Sequence, residues 1–131
     1  MILAIKTDTA LLELALIDSH DSTKVRERNI ELGRSMARDI LSHIEALLSE
    51  AAIKWPDLTG LIVFSGPGSF TGLRIGATTA NTIAYAESLP IVGMAGDNWR
   101  EQGVARLKGG ENDTMVMPRY GKPANITSPR K

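Results

Sequence analysis

Residues 61–76 constrain the fold more than any other part of the chain. Leu61-Ile62-Val63-Phe64 is a continuous apolar run, which suits a central strand covered on both faces. It passes through Ser65 and Gly66-Pro67-Gly68-Ser69-Phe70-Thr71-Gly72 into Leu73-Arg74-Ile75-Gly76, where the spacing predicts a helix over 73–88. The open N-terminus of a helix offers unpaired N–H groups and the positive end of a dipole, so such a turn has to be weighed as an anion site. No GxxxxGK[ST] phosphate loop is present. A dinucleotide fingerprint is excluded too, because Gly72 follows Gly68 at the wrong interval. Glycines supplying positive φ, with Ser69 or Thr71 as a helix cap, favour a tight structural turn and leave phosphate contact open beside it. Neither hydroxyl is read as a nucleophile, since GPGSF is not the GxSxG elbow and no base lies adjacent. Arg74 reads either as a solvated helix arginine or as a contact for phosphate or a partner carboxylate.

The flanking segments extend the pattern. Apolar runs at 2–5 and 11–17, separated by Thr7-Asp8-Thr9-Ala10, predict a hairpin. Residues 24–32 predict a charged edge strand. With Ser35 as a plausible N-cap, Met36, Ile40, Leu41, Ile44, Leu47, Leu48 and Ala51 recur at helical spacing and mark one buried stripe. The small residues Gly76, Ala77, Ala80 and Ala84 would let a neighbouring helix approach the second helix closely. Residues 90–94 predict another strand, Asp97 or Asn98 a cap for a short helix to Leu107, and 114–117 a final strand. Strand-strand-strand-helix-strand-helix-strand-helix gives an α/β fold with a mixed sheet flanked by helices. This is the order of the ribonuclease-H-like unit found in actin-like ATPase-type folds, here as a single lobe. One domain over 1–117 and an extended basic tail over 118–131 are expected, the tail carrying Arg119, Lys122, Arg130 and Lys131.

Composition narrows the function. Fifteen basic and fifteen acidic residues balance, so a strong direct grip on nucleic acid is not expected. The absence of cysteine excludes disulfides and thiolate chemistry. His20 and His43 form no metal-binding pattern; His20 reads as solvated and His43 as a boundary or partner-facing residue. Trp55 and Trp99 read as anchors at helix ends, not as base-stacking platforms. No leader is recognisable, and no apolar run approaches the ~20 residues that span a bilayer, so a soluble, cytoplasmic protein is expected.

The run Gly66-Pro67-Gly68-Ser69-Phe70-Thr71-Gly72-Leu73-Arg74-Ile75-Gly76 closely resembles the signature of the bacterial TsaB (YeaZ) family. The plan around it agrees, from the first strand to Pro90-Ile91-Val92-Gly93, and Pro118-Arg119-Tyr120 is similar to a Pro-x-Tyr segment of that family. The resemblance implies a non-catalytic scaffold of N6-threonylcarbamoyladenosine synthesis at position 37 of ANN-decoding tRNAs. It implies a TsaD-like catalytic subunit and a TsaE-like ATPase as partners, tRNA contact only indirectly, and no metal or cofactor. In the family the pairing surface is formed by the two helices flanking the signature, here about 35–52 and 73–87. Met36, Ile40, His43, Leu47, Ile75, Gly76, Thr79, Ala80, Ile83 and Ala84 are the expected interface residues, so charge at Ala80 or Ala84 should weaken pairing without unfolding. A homodimer through the same helices and an actin-like or kinase-type enzyme using the 66–72 loop are the competing readings. Two features depart from the family. Lys6-Thr7 stands where Asp-Thr is usual, with Asp8 displaced along the strand by about 6–7 Å. Where the family usually carries a second domain, this sequence runs from about Leu107 almost directly into the tail, so one lobe is expected here.

Overall fold

A computed structural model describes residues 1–119; the expected tail features at Tyr120, Lys122, Pro123, Pro129, Arg130 and Lys131 lie outside the described residues. The elements are β1 (Ile2–Lys6), β2 (Leu11–Ile17), β3 (Val25–Glu31), α1 (Met36–Glu50), β4 (Gly60–Phe64), α2 (Phe70–Glu87), β5 (Ile91–Met94) and α3 (Trp99–Lys108). They build a five-stranded sheet in the order β3-β2-β1-β4-β5. The first hairpin is antiparallel, with Ile2 opposite Ile17 and Lys6 opposite Glu13, while β1–β4 and β4–β5 are parallel. The apolar run of β4 lies inside the sheet, between β1 and β5, and is buried throughout, as its lack of alternation requires.

The two sheet faces carry different helices. Leu3, Ile5, Leu14, Leu61 and Val63 pack against α1 and α2, whereas Ile2, Ala4, Ile62, Phe64 and Val92 form the opposite core with Trp99 and Val104 of α3. On α1, Met36, Ile40, Ile44, Leu47 and Leu48 are buried as their spacing predicts. Leu41 is instead 47% exposed, because it lies on the outer side of that stripe. Ser35 stands at the N-cap position without capping: its hydroxyl donates to Leu32 O at 2.9 Å. Both tryptophans sit at helix starts, Trp55 opening a 3-10 turn and Trp99 packing edge-on against Phe64 at 5.8 Å.

The predicted strand at 114–117 does not form. β5 is an edge strand, and side chains rather than another strand satisfy its backbone. Asn112 Oδ1 accepts from Ile91 N–H at 3.1 Å, and Asp113 Oδ2 accepts from Gly93 N–H at 2.8 Å. Val116 fills the space left by Gly93, and its backbone exchanges two hydrogen bonds with the Asn81 amide, each 2.9 Å. The edge is thereby covered without a flat, open strand. Pro118 and Arg119 stay on the body, Arg119 N–H donating to Ser65 O at 2.6 Å.

Arg106 clamps this cover by donating to both oxygens of Asp113. The guanidinium holds the Asp113 carboxyl below its ordinary value of 3.8, outweighing the opposing effect of burial. A depressed folded-state pKa stabilises fully above the unfolded value and loses that stabilisation as pH falls through the folded one. Urea midpoints should therefore fall as pH drops below about 5, where an unfolded aspartate begins to protonate, and Asp113→Asn should flatten the fall. An unchanged slope would contradict the clamp.

Candidate functional site

The carboxyl ends of the parallel strands β1 and β4 lie side by side at the centre of the sheet, where chain connections lead away in opposite directions. Such switch points open a crevice in α/β sheets. Here the crevice is bounded by the β1–β2 turn, Thr7 to Ala10, and by the glycine-rich loop after β4.

The loop's glycines are explained by contacts within the chain. A Cβ on Gly68 would come within 2.5 Å of the Asp8 Cβ. One on Gly72 would collide with the Thr7 carbonyl, one on Gly76 with the Thr7 side chain, and one on Gly66, at φ +126°, with the Arg119 carbonyl. Gly68, Gly72 and Gly76 recur every four residues, so they form one seam into which the turn is pressed. Ser69 N–H donates to Asp8 O at 3.0 Å, and the buried Thr7 hydroxyl donates to Gly72 O at 2.7 Å. The Gly66–Pro67 peptide is cis.

This seam moves the start of the second helix. Ser69 is the N-cap and accepts from Gly72 N–H at 3.4 Å, so α2 begins at Phe70, three residues before the expected start, and Thr71 lies inside it. Among the small residues of α2, Gly72 and Gly76 meet Thr7 of the β1–β2 turn, while Ala80 and Ala84 lie in the core shared by the sheet and α1.

Lys6 occupies the position at the end of β1. Its ammonium donates to Asp8 Oδ1 at 2.7 Å and Glu13 Oε2 at 3.4 Å, and stands 4.6 Å from the centre of the Phe64 ring. Burial opposes its charge, but the hydrogen bond and field of Asp8, with Glu13, raise its pKa above the usual lysine value. The competing actin-like or kinase-type reading needs a metal–phosphate site at this end of the sheet, and these residues do not fit one. The carboxylate of Asp8 is already held by a cation, and the loop glycines are in contact with protein backbone. Among the described residues, no three of His, Cys, Asp and Glu gather as metal ligands.

The expected partner residues divide sharply. Met36, Ile40, Leu47, Gly76, Ala80, Ile83 and Ala84 are buried, since the apolar stripe of α1 and the small-residue stripe of α2 both turn toward the sheet. Little of their surface is left open on the folded domain. His43 is half-buried, at the boundary position expected of it, and its Nδ1 accepts from Arg28 Nε of β3 at 3.2 Å; His20 is exposed, as expected. Ile75 and Thr79 alone among the ten lie at an accessible groove. That groove encloses about 320 Å³ and is lined by Ala37, Thr71, Arg74, Ile75, Thr78 and Thr79. Arg74 flanks it, with its guanidinium 5.6 Å from the Phe70 ring. Thr71 was expected in the signature loop and not in this groove, and Thr78 gave no signal in a pattern read for apolar stripes, because an outward face is built from the residues between them.

A mixed sheet of this order, with two helices on one face and one on the other, defines a ribonuclease-H-like unit of the actin-like type. A family model described as TsaD, tRNA N6-adenosine threonylcarbamoyltransferase, matches residues 31–95. The tRNA threonylcarbamoyladenosine biosynthesis protein TsaB of Bacillus subtilis is 34% identical over 90 residues, covering 69% of this chain and 38% of that protein. The structure of YeaZ from Pseudomonas aeruginosa superposes with a TM-score of 0.68 at 25% identity, over 82% of this chain and 49% of the other. Thermus thermophilus RuvC shares the fold at 10% identity, with a TM-score of 0.51 over 95% and 84% of the two chains. The chain belongs to the TsaB/YeaZ family. It spans less than half the length of the curated TsaB relatives it matches. No helix among the described residues is long and apolar enough to cross a membrane.

Proposed function

We propose that this chain acts in the synthesis of N6-threonylcarbamoyladenosine on tRNA as a non-catalytic partner. It binds a TsaD-like catalytic subunit through the groove between the outer faces of α1 and α2, in a system that includes a TsaE-like ATPase. The observation that carries the reading is the groove itself. It lies on the same two helices that flank the signature, it is open, and its lining mixes Ala37 and Ile75 with small hydroxyls and one cation, Arg74. An interface core of that kind excludes water around a few apolar contacts and keeps its charge at the rim. Leu41, exposed one turn beyond Ala37, extends the apolar surface along α1. The crevice supports the non-catalytic half of the reading, because Lys6 and the backbone of the turn fill the space in which chemistry would occur. The balanced charge of the chain is consistent with tRNA being held by the partner.

Reconstitution tests the reading: tRNA, a threonylcarbamoyl donor, the TsaD-like subunit and the TsaE-like ATPase, with and without this chain. Modification should rise at least tenfold when the chain is added, and the chain without the catalytic subunit should modify nothing. Equal modification in both arms would overturn the partner role. Modification by the chain alone would favour a catalytic reading, to which the transferase description of the matching family model lends some weight.

A further inference from the structure

We propose that Lys6 is a built-in cation that fills the β1–β4 crevice and excludes divalent metal and metal-bound phosphate from it. Three independent observations meet at this point. Two carboxylates, Asp8 and Glu13, converge on one ammonium at 2.7 and 3.4 Å, so half of the negative charge that would draw a metal is already compensated and the place of the ion is taken by Nζ. The ammonium is sheltered, its side chain 19% exposed and its head over the Phe64 ring, so it is not displaced simply by swinging into solvent. The loop that borders the crevice has no open glycine surface toward it: Gly68 abuts Asp8, Gly72 abuts Thr7, and the Ser69 N–H is taken by Asp8 O. A phosphate group would have to displace the β1–β2 turn to reach those N–H groups. A divalent ion would have to sit against Lys6, whose raised pKa keeps it charged.

The consequence is that, with the loop closed by the backbone of the turn, the side chain of Lys6 sets the metal preference of this end of the sheet. Lys6 lies directly opposite Glu13 across the β1–β2 pair, and Asp8 is within its reach. Lys6→Asp therefore places a third carboxylate beside two existing ones, a donor set of the oxygen-rich kind that suits Mn²⁺ or Mg²⁺. The inference stands apart from the partner role, since it needs no other subunit.

Calorimetric titration of the purified chain with MnCl2, and separately with ATP and magnesium, tests it. The native chain should bind neither below millimolar concentration, and Lys6→Asp should bind Mn²⁺ at least tenfold more tightly than native, with the far-ultraviolet circular dichroism of the native fold. Lys6→Gln, which removes the cation without adding charge, should shift Mn²⁺ affinity in the same direction by a smaller factor and serves if Lys6→Asp does not fold. Micromolar binding of Mn²⁺ or of magnesium–ATP by the native chain would overturn the proposal. So would Mn²⁺ affinity in the folded variants equal to that of the native chain.

Discussion

Ala80→Asp is expected to lower the urea midpoint of this domain sharply. Ala80 is fully buried in the middle of α2, in the cluster that includes Leu61, Val63 and Ile91 of the sheet. An uncompensated charge in such a place costs on the order of 3–5 kcal/mol, and the added atoms must also displace packed neighbours. Domains of this size are stable by only about 5–15 kcal/mol, so one such substitution removes a large part of the total. Ala84, also buried, should respond in the same direction. Circular dichroism during urea titration reads the effect directly. A variant within about 1 kcal/mol of native, inside the range of ordinary surface substitutions, would mean that this stripe faces outward after all.

The contrasting prediction concerns Thr78, two residues earlier and exposed on the opposite side of the same helix. Glutamate suits a helix interior better than threonine does, so Thr78→Glu should leave the fold and its urea midpoint nearly unchanged. At the centre of a buried interface, however, an unpaired carboxylate loses its hydration without compensation, a cost of several kcal/mol that corresponds to a hundredfold or greater loss of affinity. Thr78→Glu should thus fail to support tRNA modification at subunit concentrations where the native chain saturates the effect. Ala37→Glu, exposed on α1 and lining the same groove, should behave alike. Full support from both variants would remove the groove from the account.

Sequence patterning made most of the architecture readable, and its failures have physical causes. The hairpin, the charged edge of β3 and the central β4 follow from alternation, its loss, and continuous apolarity, all of which are local properties. The stripe on α1 was legible for the same reason. What periodicity cannot supply is the identity of the neighbour. The small residues of α2 are compatible with a close helix, strand or turn, and only the three-dimensional position of Thr7 shows that Gly72 and Gly76 serve the β1–β2 turn. A signal was present in the spacing of Gly68, Gly72 and Gly76, which places three glycines on one seam. The cover of β5 was unreadable because it depends on side chains: Asn112, Asp113 and Asn81 supply the partners that a strand over 114–117 would have supplied. Lys6 stood out in the sequence as a departure, but its union with Asp8, Glu13 and Phe64 appears only once the hairpin register and the end of β4 are placed.

The glycine-rich segment is thus a packing device that fixes where α2 begins, and through it which residues of α2 face outward. That makes physical association the central claim. Sedimentation velocity of this chain mixed with a TsaD-like catalytic subunit measures it directly. The account predicts a complex at micromolar concentrations that forms with Lys6→Gln and is lost with Thr78→Glu. Absence of a complex at tens of micromolar, or a complex that Thr78→Glu leaves intact, would contradict it.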